Sequence, residues 1–180
     1  ENLKKPTLKI ENLKIKRGSV IGLIGDSGSG KSTLLDIMSG LKIPQKFKIN
    51  IDNKKNIDHK KINFTNCAYC NQNQYIFPGT VKQNIIFFDK VENKKKLNEV
   101  VNICKLKKIF KSKSISLNSK LYEKGNNLSG GQIQRIGLAR TLYFENEIIF
   151  LDEALNNVES KLEKQILLNI FKFVKKYNKT

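Results

Sequence analysis

Short apolar runs alternate along the chain with longer stretches in which apolar residues recur every three or four positions. The first pattern is typical of strands and the second of amphipathic helices. Runs at residues 20–24 and 148–151 predict buried strands, and another strand is expected near Ala68, leading to Gln72. Partial alternation at 8–15 and 47–51 predicts strands exposed on one face, and 16–19 predict a turn. Residues 52–61 are polar and show neither pattern, so no strand or helix is predicted there.

Helical spacing occurs in four places. It follows residue 33, runs through residues 80–127 after the break at Pro78-Gly79, resumes after Gly130-Gly131, and continues from about Ser160. The apolar positions of the first helix are Leu34, Leu35, Ile37, Met38 and Leu41. Because strands and helices alternate, we predict an α/β fold with a mainly parallel sheet. Residues 80–127 are predicted to be a mostly helical insertion between residues 1–79 and 128–180.

A glycine-rich loop lies between the second predicted strand and the first predicted helix. It matches the phosphate-loop pattern G-x-x-x-x-G-K-[ST] in the context that this motif requires, and its residues are Gly25, Asp26, Ser27, Gly28, Ser29, Gly30, Lys31, Ser32 and Thr33. In such a loop the backbone amides and the helix N-terminus face the phosphates. Lys31 would reach the β- and γ-phosphates, and Ser32 would ligate Mg²⁺. A glycine-rich surface turn is the alternative, and the flanking pattern disfavours it.

Two carboxylates, Asp152 and Glu153, follow the apolar run at 148–151. In a phosphate-loop enzyme an acid at the end of a buried strand reaches the water shell of Mg²⁺, and Asp152 suits that role. Glu153, one position further, could polarise an attacking water as a general base. A strand that simply ends in polar residues is the alternative, and the presence of Lys31 weakens it.

Composition and charge narrow the possible partners. The formal net charge is +18, but only Arg17, Arg135 and Arg140 are arginines, and the lysines are scattered along the chain. Because phosphate and base recognition usually draws on arginine, we expect a solvated basic surface and no nucleic-acid partner. Contact with an anionic membrane surface is a weaker alternative. No apolar stretch approaches the ~20 residues of a membrane helix.

The three cysteines do not suggest a disulfide framework, because their number is odd. Cys67-x-x-Cys70 alone would permit a redox pair or half of a zinc site, but no second pair exists and His59 is the single histidine. Small buried residues on a strand are the favoured interpretation of Cys67 and Cys70. His59 is predicted to lie in an exposed loop.

Residues 128–132, Leu128-Ser129-Gly130-Gly131-Gln132, resemble the signature motif of ABC ATPases without a mismatch. Residues 71–81 resemble the Q-loop of that family, in which Gln72 has the expected offset from Phe77 and Gln74 is a rival. Glu123-Lys124-Gly125 and Asn84-Ile85 are similar to exporter sequences. The resemblance covers almost the whole chain. It implies a P-loop NTPase core, an N-terminal antiparallel β subdomain and an inserted helical subdomain at 80–127.

The resemblance implies the ATP-binding and ATP-hydrolysing domain of an ABC transporter of exporter type. Two such domains would enclose two Mg-ATP molecules and drive a transmembrane partner from the cytoplasmic face of the cell membrane. Gln72 would contact Mg²⁺ and the attacking water, and residues Ser129, Gly130, Gly131 and Gln132 would cap the nucleotide of the other domain. The alternatives are a soluble ABC ATPase of translation or DNA repair, which the loop at Glu123 disfavours, and a regulatory module without hydrolysis, which Glu153 disfavours.

The chain departs from the family pattern after Glu153. Glu159 occupies a position where the family carries Asp, so its part in coupling across a dimer is open. The resemblance places the switch histidine beyond Thr180 and the adenine-stacking aromatic residue at about the start of the chain, so both are missing from this sequence. Because both losses lie at the ends, we expect the sequence to be a domain truncated at both ends.

Overall fold

The computed structural model describes residues 8–46, 48–51, 54–57, 64–87, 89, 91–113 and 115–180. In these ranges the helices are α1 Lys31–Met38, α2 Val81–Ile86, α3 Lys94–Ile103, α4 Leu106–Lys113, α5 Gly130–Tyr143 and α6 Ser160–Lys176. The strands are β1 Ile49–Ile51, β2 Lys54–Ile57, β3 Cys67–Cys70, β4 Gly79–Thr80, β5 Lys120–Leu121 and β6 Ile148–Leu151. Within the described ranges, no helix has the length and apolar character needed to cross a membrane.

The strand pair that positions the candidate site is β3 with β6. The two strands are parallel, with Cys67 opposite Ile148 and Cys70 opposite Leu151. The Asp152 N–H continues the ladder by donating to the Cys70 carbonyl at 2.9 Å. Because the carboxyl ends of the two strands coincide, the segments that carry Gln72 and Asp152 leave the sheet at the same edge. β1 with β2 and β4 with β5 form separate antiparallel pairs.

Two predicted strands are absent from the described structure. Residues 8–15 and 20–24 have no regular secondary structure, and the side chains of 20–24 are exposed, with Ile24 at 98%. A strand exists only where its backbone has a hydrogen-bonding partner, and no described strand pairs with these segments. Instead, Thr180 bonds beside β6, donating to the Glu147 carbonyl at 2.9 Å and accepting from the Ile149 N–H at 2.7 Å. The prediction of a buried strand at 20–24 is therefore wrong in this structure.

The structure also differs from the sequence predictions in smaller ways, at β6, at α1 and at the hairpin of β1 and β2. β6 is present as predicted, but only Phe150 among its four residues is buried, because the described parallel sheet has two strands. Helix α1 also has no fully buried residue. The hairpin of β1 and β2 includes residues for which no strand was predicted, since backbone pairing is open to the polar residues of Lys54–Ile57. Phe47 and His59, which were expected in a strand and a loop, lie outside the described residues.

The core lies around α5. Residues from α2 to α6 form one continuous apolar cluster, and its most deeply buried members include Ile85, Val100, Leu106, Ile136, Leu138, Leu142 and Ile166. Helices α2, α3 and α4 pack against α5, as does β3. The structure therefore contains helices where the spacing at 80–127 predicts them, and the predicted α/β fold class is confirmed. The exact domain division at residues 79/80 and 127/128 stays a prediction.

The cysteines of β3 have a packing role. Cys70 is fully buried and Cys67 half-buried, and both thiols are free. Burial raises the pKa of the Cys70 thiol to about 11, and it also raises the pKa of Cys67. Because the thiolate is the reactive and metal-binding form, these pKa values favour the structural interpretation of the pair.

Asn84 of α2 fixes the chain that follows Gln72. Its side chain is completely buried. The Oδ1 atom accepts from the Phe77 N–H at 2.9 Å, and Nδ2 donates to the carbonyls of Phe77 at 2.9 Å and Thr80 at 3.1 Å. Arg140 of α5 donates to the Asn84 carbonyl at 2.7 Å and to the Tyr75 carbonyl at 2.9 Å. The segment is thereby fastened to two helices.

We expect Asn84→Leu to lower the free energy of unfolding by about 2–4 kcal/mol. The apolar side chain would remove the hydrogen bonds of the buried Asn84 amide to the backbone of Phe77 and Thr80, and losing the partner of a polar group in the interior costs ~1–3 kcal/mol. Urea denaturation measures the effect. The control is Asn118→Ala in an exposed turn, which should change stability by less than about 0.5 kcal/mol. Equal stability of both variants would contradict the assignment.

Candidate nucleotide-binding site

The phosphate loop is a tight turn at the start of α1. Gly28 and Gly30 have left-handed backbones, with φ of 78° and 93°, which side chains disfavour. The Ser29 N–H donates to the Asp26 carbonyl at 3.2 Å and closes the turn. Gly30 is the N-cap residue of α1 and accepts from the Leu34 N–H at 2.9 Å. Since glycine cannot cap the helix with a side chain, the amides of the first turn can face an anion.

Lys31 lies over this loop. Its Nζ donates to the carbonyls of Gly25 and Asp26, both at 2.7 Å, in an exposed position. The two bonds hold the ammonium group beside the loop backbone. Phosphate oxygens are charged acceptors and bind an ammonium group more strongly than carbonyls do, so the same side chain can turn to a bound phosphate.

Ser32 and Asp152 meet although 120 residues separate them. The Ser32 Oγ donates to Asp152 Oδ1 at 3.0 Å, which joins the start of α1 to the end of β6. Tyr69 of β3 donates its hydroxyl to the other carboxylate oxygen, Oδ2, at 3.1 Å. Burial and this bond to Asp152 raise the pKa of Tyr69, so the phenol stays protonated and keeps donating. Tyr69 therefore orients Asp152, a role that the sequence alone did not predict.

These oxygens fit Mg²⁺ bound together with a nucleotide. A hydroxyl and a carboxylate are ligands that Mg²⁺ accepts, and it usually completes its shell with water and phosphate oxygens. Among the described residues, no group of three or more His, Cys, Asp or Glu side chains could hold a metal by itself. The donor set is thus suited to a metal that arrives with phosphates.

Gln72 and Gln74 have different surroundings. The Gln72 side chain is exposed just after β3, and its backbone carbonyl accepts from Gln134 Nε2 at 3.2 Å. The Gln74 Nε2 instead donates to the carbonyl and Oδ1 of Asn71, at 2.7 and 2.8 Å. Gln74 also packs on Gly137 of α5, where a Cβ would lie 2.0 Å from its Oε1. Gln74 is held by packing, which favours Gln72 as the Q-loop residue.

Glu153 is held in a left-handed turn, with φ of 49°. This conformation is uncommon for a residue with a side chain and is often found at functional sites. The exposed carboxylate accepts from Asn156 Nδ2 at 3.4 Å, and the Glu153 carbonyl accepts from the Asn156 N–H at 3.3 Å. The turn points the chain away from β6 directly after Asp152.

The signature residues lie at the N-terminus of α5. Ser129 and Gly130 are exposed, and Gln132 Oε1 accepts from the Ser129 N–H at 3.0 Å, which caps the helix. Gly131 packs so closely that a Cβ would lie 2.5 Å from the Asn157 carbonyl oxygen. Among the described residues, no hydrogen bond connects residues 129–132 with the phosphate loop. The structure therefore brings Lys31, Ser32 and Asp152 together and leaves the signature motif apart from them.

Sequence inspection missed three residues of this region: Tyr69, Gln134 and Arg140. Gln134 had a usable signal, because a polar residue stands among the apolar positions of α5. The sequence gives Arg140 no role beyond its charge. Tyr69 had no signal, since its role depends on the register between β3 and β6.

Comparison with known proteins identifies the family. The model of the ABC transporter family matches residues 8–156. A Rickettsia typhi protein, named for an export ATP-binding/permease function, is 36% identical over 178 residues, which cover 95% of this chain and 30% of the relative. The lactococcin-G-processing and transport ATP-binding protein of Lactococcus lactis is 34% identical over 176 residues, with 95% and 25% covered.

A third relative is named for import. This sulfate/thiosulfate import ATP-binding protein of Chlorella vulgaris is 36% identical over 162 residues, which cover 86% of this chain and 64% of the relative. The chain thus spans only part of the length of these relatives.

Among solved structures, a bacterial Atm1-family ABC exporter with ATP bound superposes with a TM-score of 0.72. The two chains share 22% sequence identity, and the matched region covers 83% of this chain and 27% of the exporter chain. This similarity confirms the predicted P-loop NTPase fold. Since the family model spans most of the chain and includes the phosphate loop and signature motif, the chain belongs to the ABC transporter family.

Proposed function

We propose that this domain binds Mg-ATP, hydrolyses it within a dimer of such domains, and powers an ABC exporter. The observation that carries the proposal is the contact of Ser32 with Asp152 at 3.0 Å beside Lys31. It unites a hydroxyl, a carboxylate and an ammonium group at one helix N-terminus, which is the donor set that phosphoryl transfer needs.

Binding uses the loop and the start of α1. The amides of residues 25–33 and the Lys31 ammonium would face the phosphates, and Ser32 and Asp152 would hold Mg²⁺, with Gln72 as a third contact. Mg²⁺ held there would supply neutralisation of the charge on the β- and γ-phosphate oxygens. Tyr69 keeps the Asp152 carboxylate turned toward Ser32 through its 3.1 Å bond.

Hydrolysis uses the carboxylate of Glu153 as general base toward a water that Gln72 helps to orient. Both residues follow the ends of the paired strands β3 and β6, and both side chains are exposed. Asp152 bonds Ser32 and Tyr69, whereas Glu153, in its left-handed turn, bonds Asn156. Two neighbouring carboxylates can therefore serve different partners, one the metal and the other the water.

The signature motif serves the nucleotide of a second domain. Ser129 and Gly130 are exposed at the N-terminus of α5, a helix of 14 residues, and such a terminus attracts anions. Because no hydrogen bond among the described residues joins them to their own phosphate loop, the γ-phosphate of a partner is the proposed ligand. A head-to-tail pair with two-fold symmetry satisfies both sites.

A transmembrane domain is the proposed partner, at the cytoplasmic face of the membrane. Exposed aromatic side chains, Tyr75, Phe87 and Phe144, lie near Arg140 in the region that follows the Q-loop. Clustered exposed apolar surface of this kind marks interaction sites. The exporter type rests on the relatives named for export and on the loop at Glu123, whose Oε1 accepts from the Tyr75 hydroxyl at 3.4 Å.

Lys31→Ala should weaken Mg-ATP binding by about 10- to 100-fold, because hydrogen bonds to charged groups contribute ~1.5–3 kcal/mol. Calorimetric titration with Mg-ATP measures the affinity. Lys161→Ala, at an exposed position of α6, is the control and should bind as the unchanged protein does. Equal affinities for both variants would refute the role of the loop.

Glu153→Gln should bind Mg-ATP normally but hydrolyse it about 10²–10⁴-fold more slowly, since that is the usual loss when a general base is removed. Phosphate release gives the rate, and size-exclusion chromatography with ATP should show an accumulated dimer. Glu11→Gln, whose side chain is 87% exposed, should keep the full rate. Wild-type hydrolysis by Glu153→Gln would show that Glu153 is not the base.

Ser129→Arg should leave nucleotide binding intact and prevent dimer formation, because the added cation fills the place of the partner's γ-phosphate. Mixed with Lys31→Ala protein, it forms one composite site with both defects and one without either. Hydrolysis should therefore partly recover on mixing. Asn118→Arg adds the same charge in an exposed turn and should dimerise normally. Dimerisation of Ser129→Arg with ATP would argue against the cross-domain role.

A further inference from the structure

Gln134 is a buried polar residue for which the proposed function has no role. It lies on α5, two positions after the signature motif, and only 1% of it is exposed. Its Nε2 donates to the Gln72 carbonyl at 3.2 Å and also to Asn156 Oδ1. Its Oε1 accepts from the Asn157 N–H at 2.9 Å. One side-chain amide thus joins the Q-loop to the turn that follows Glu153.

The helix face around Gln134 permits both contacts. Gly131, Gln134 and Gly137 are three residues apart and share one face of α5. A Cβ at Gly131 would lie 2.5 Å from the Asn157 carbonyl oxygen, and one at Gly137 would lie 2.0 Å from Gln74 Oε1. The two glycines therefore let both loops approach the helix closely, and Gln134 stands between them within reach of each.

The hydrogen bonds continue from Gln134 to the carboxylate of Glu153. Asn156 Oδ1 accepts from Gln134, and Asn156 Nδ2 donates to Glu153 Oε2 at 3.4 Å. Because a side-chain amide has one acceptor end and one donor end, the bond from Gln134 determines which end of Asn156 faces Glu153. With Gln134 in place, Asn156 presents its donor to the carboxylate.

We propose that Gln134 is a positioning residue that holds the base Glu153, through Asn156, in register with the Q-loop and with the signature helix. The inference rests on the proposed function. It adds a connection between the two nucleotides of a dimer: α5 touches the partner's nucleotide at Ser129, and Gln134 connects the same helix to the residues that act on the domain's own nucleotide.

Steady-state hydrolysis tests the role with three variants. Gln134→Leu removes all the hydrogen bonds of the side-chain amide. Gln134→Glu keeps the acceptor for the Asn157 N–H but loses the donor to Gln72 and Asn156. Asn156→Ala removes the residue between Gln134 and Glu153, at an exposed position. Each should lower kcat about 10- to 100-fold, as expected when a reacting group is displaced. KM for Mg-ATP should stay within about 3-fold. Gln165→Leu, on α6, is the control and should retain the wild-type kcat.

The double variant Gln134→Leu/Asn156→Ala distinguishes a shared effect on the position of Glu153 from two independent structural effects on kcat. If both residues act on Glu153 through one connection, the double variant is no slower than the slower single variant, within about 2-fold. In a Glu153→Gln background, Gln134→Leu should cause no further loss. Multiplicative losses in either comparison would overturn the proposal, as would a wild-type kcat in Asn156→Ala.

The outcomes also distinguish this inference from the proposed function. If the protein itself does not hydrolyse ATP, or if Glu153→Gln does not slow hydrolysis, the proposed function fails. If Glu153→Gln behaves as expected and the Asn156→Ala and Gln134→Glu variants retain the wild-type kcat, only the role of Gln134 is refuted. Should Gln134→Leu not fold, Asn156→Ala decides the test, because its side chain lies at the surface.

Discussion

Parallel pairing of β3 with β6 is the constraint on which the site depends. It aligns Cys70 with Leu151, so the chain leaves both strands at one edge and delivers Gln72, Asp152 and Glu153 to the same place. The contact of Ser32 with Asp152 then attaches the phosphate loop to that edge. A shift of one residue in the register would turn the side chains of β6 to the opposite face and separate Tyr69 from Asp152.

Apolar packing and buried amides have different tasks here. The cluster from α2 to α6 supplies the core, and area burial of this kind is non-directional. Directional control of the loops comes from two buried amides, Asn84 and Gln134, which bond to the backbone of Phe77 and Gln72 within the Q-loop. Because an unpaired amide would be costly in the interior, each admits few arrangements of the loop it holds. The loops at the site are thereby ordered without being part of a strand or helix.

Charge has a local role rather than a global one. The large positive net charge is spread over lysines, whereas the groups at the phosphate loop are a single ammonium and a helix N-terminus. Arg140, by contrast, is partly buried and lies 5.1 Å from the Phe77 ring centre, measured from its guanidinium carbon, while it bonds the carbonyls of Tyr75 and Asn84. It fastens the Q-loop and α2 to α5, so one of the few arginines has a structural role.

The sequence by itself determined the α/β class and the helical stretches after residue 33, within 80–127, after Gly130-Gly131 and from about Ser160, because helical periodicity is a local pattern. The motifs at 25–33, 128–132 and 152–153 are local patterns too, and they predict the chemistry of the site. The sequence wrongly predicted a strand at 20–24, since an apolar run shows a preference for burial but not whether a partner strand is present to pair with it. Only the tertiary structure decided that Tyr69 orients Asp152, that Gln74 packs on Gly137, and that Gln134 connects Gln72 to Asn156. These contacts join residues far apart in the chain, and their formation depends on strand register and helix approach, which no local pattern encodes.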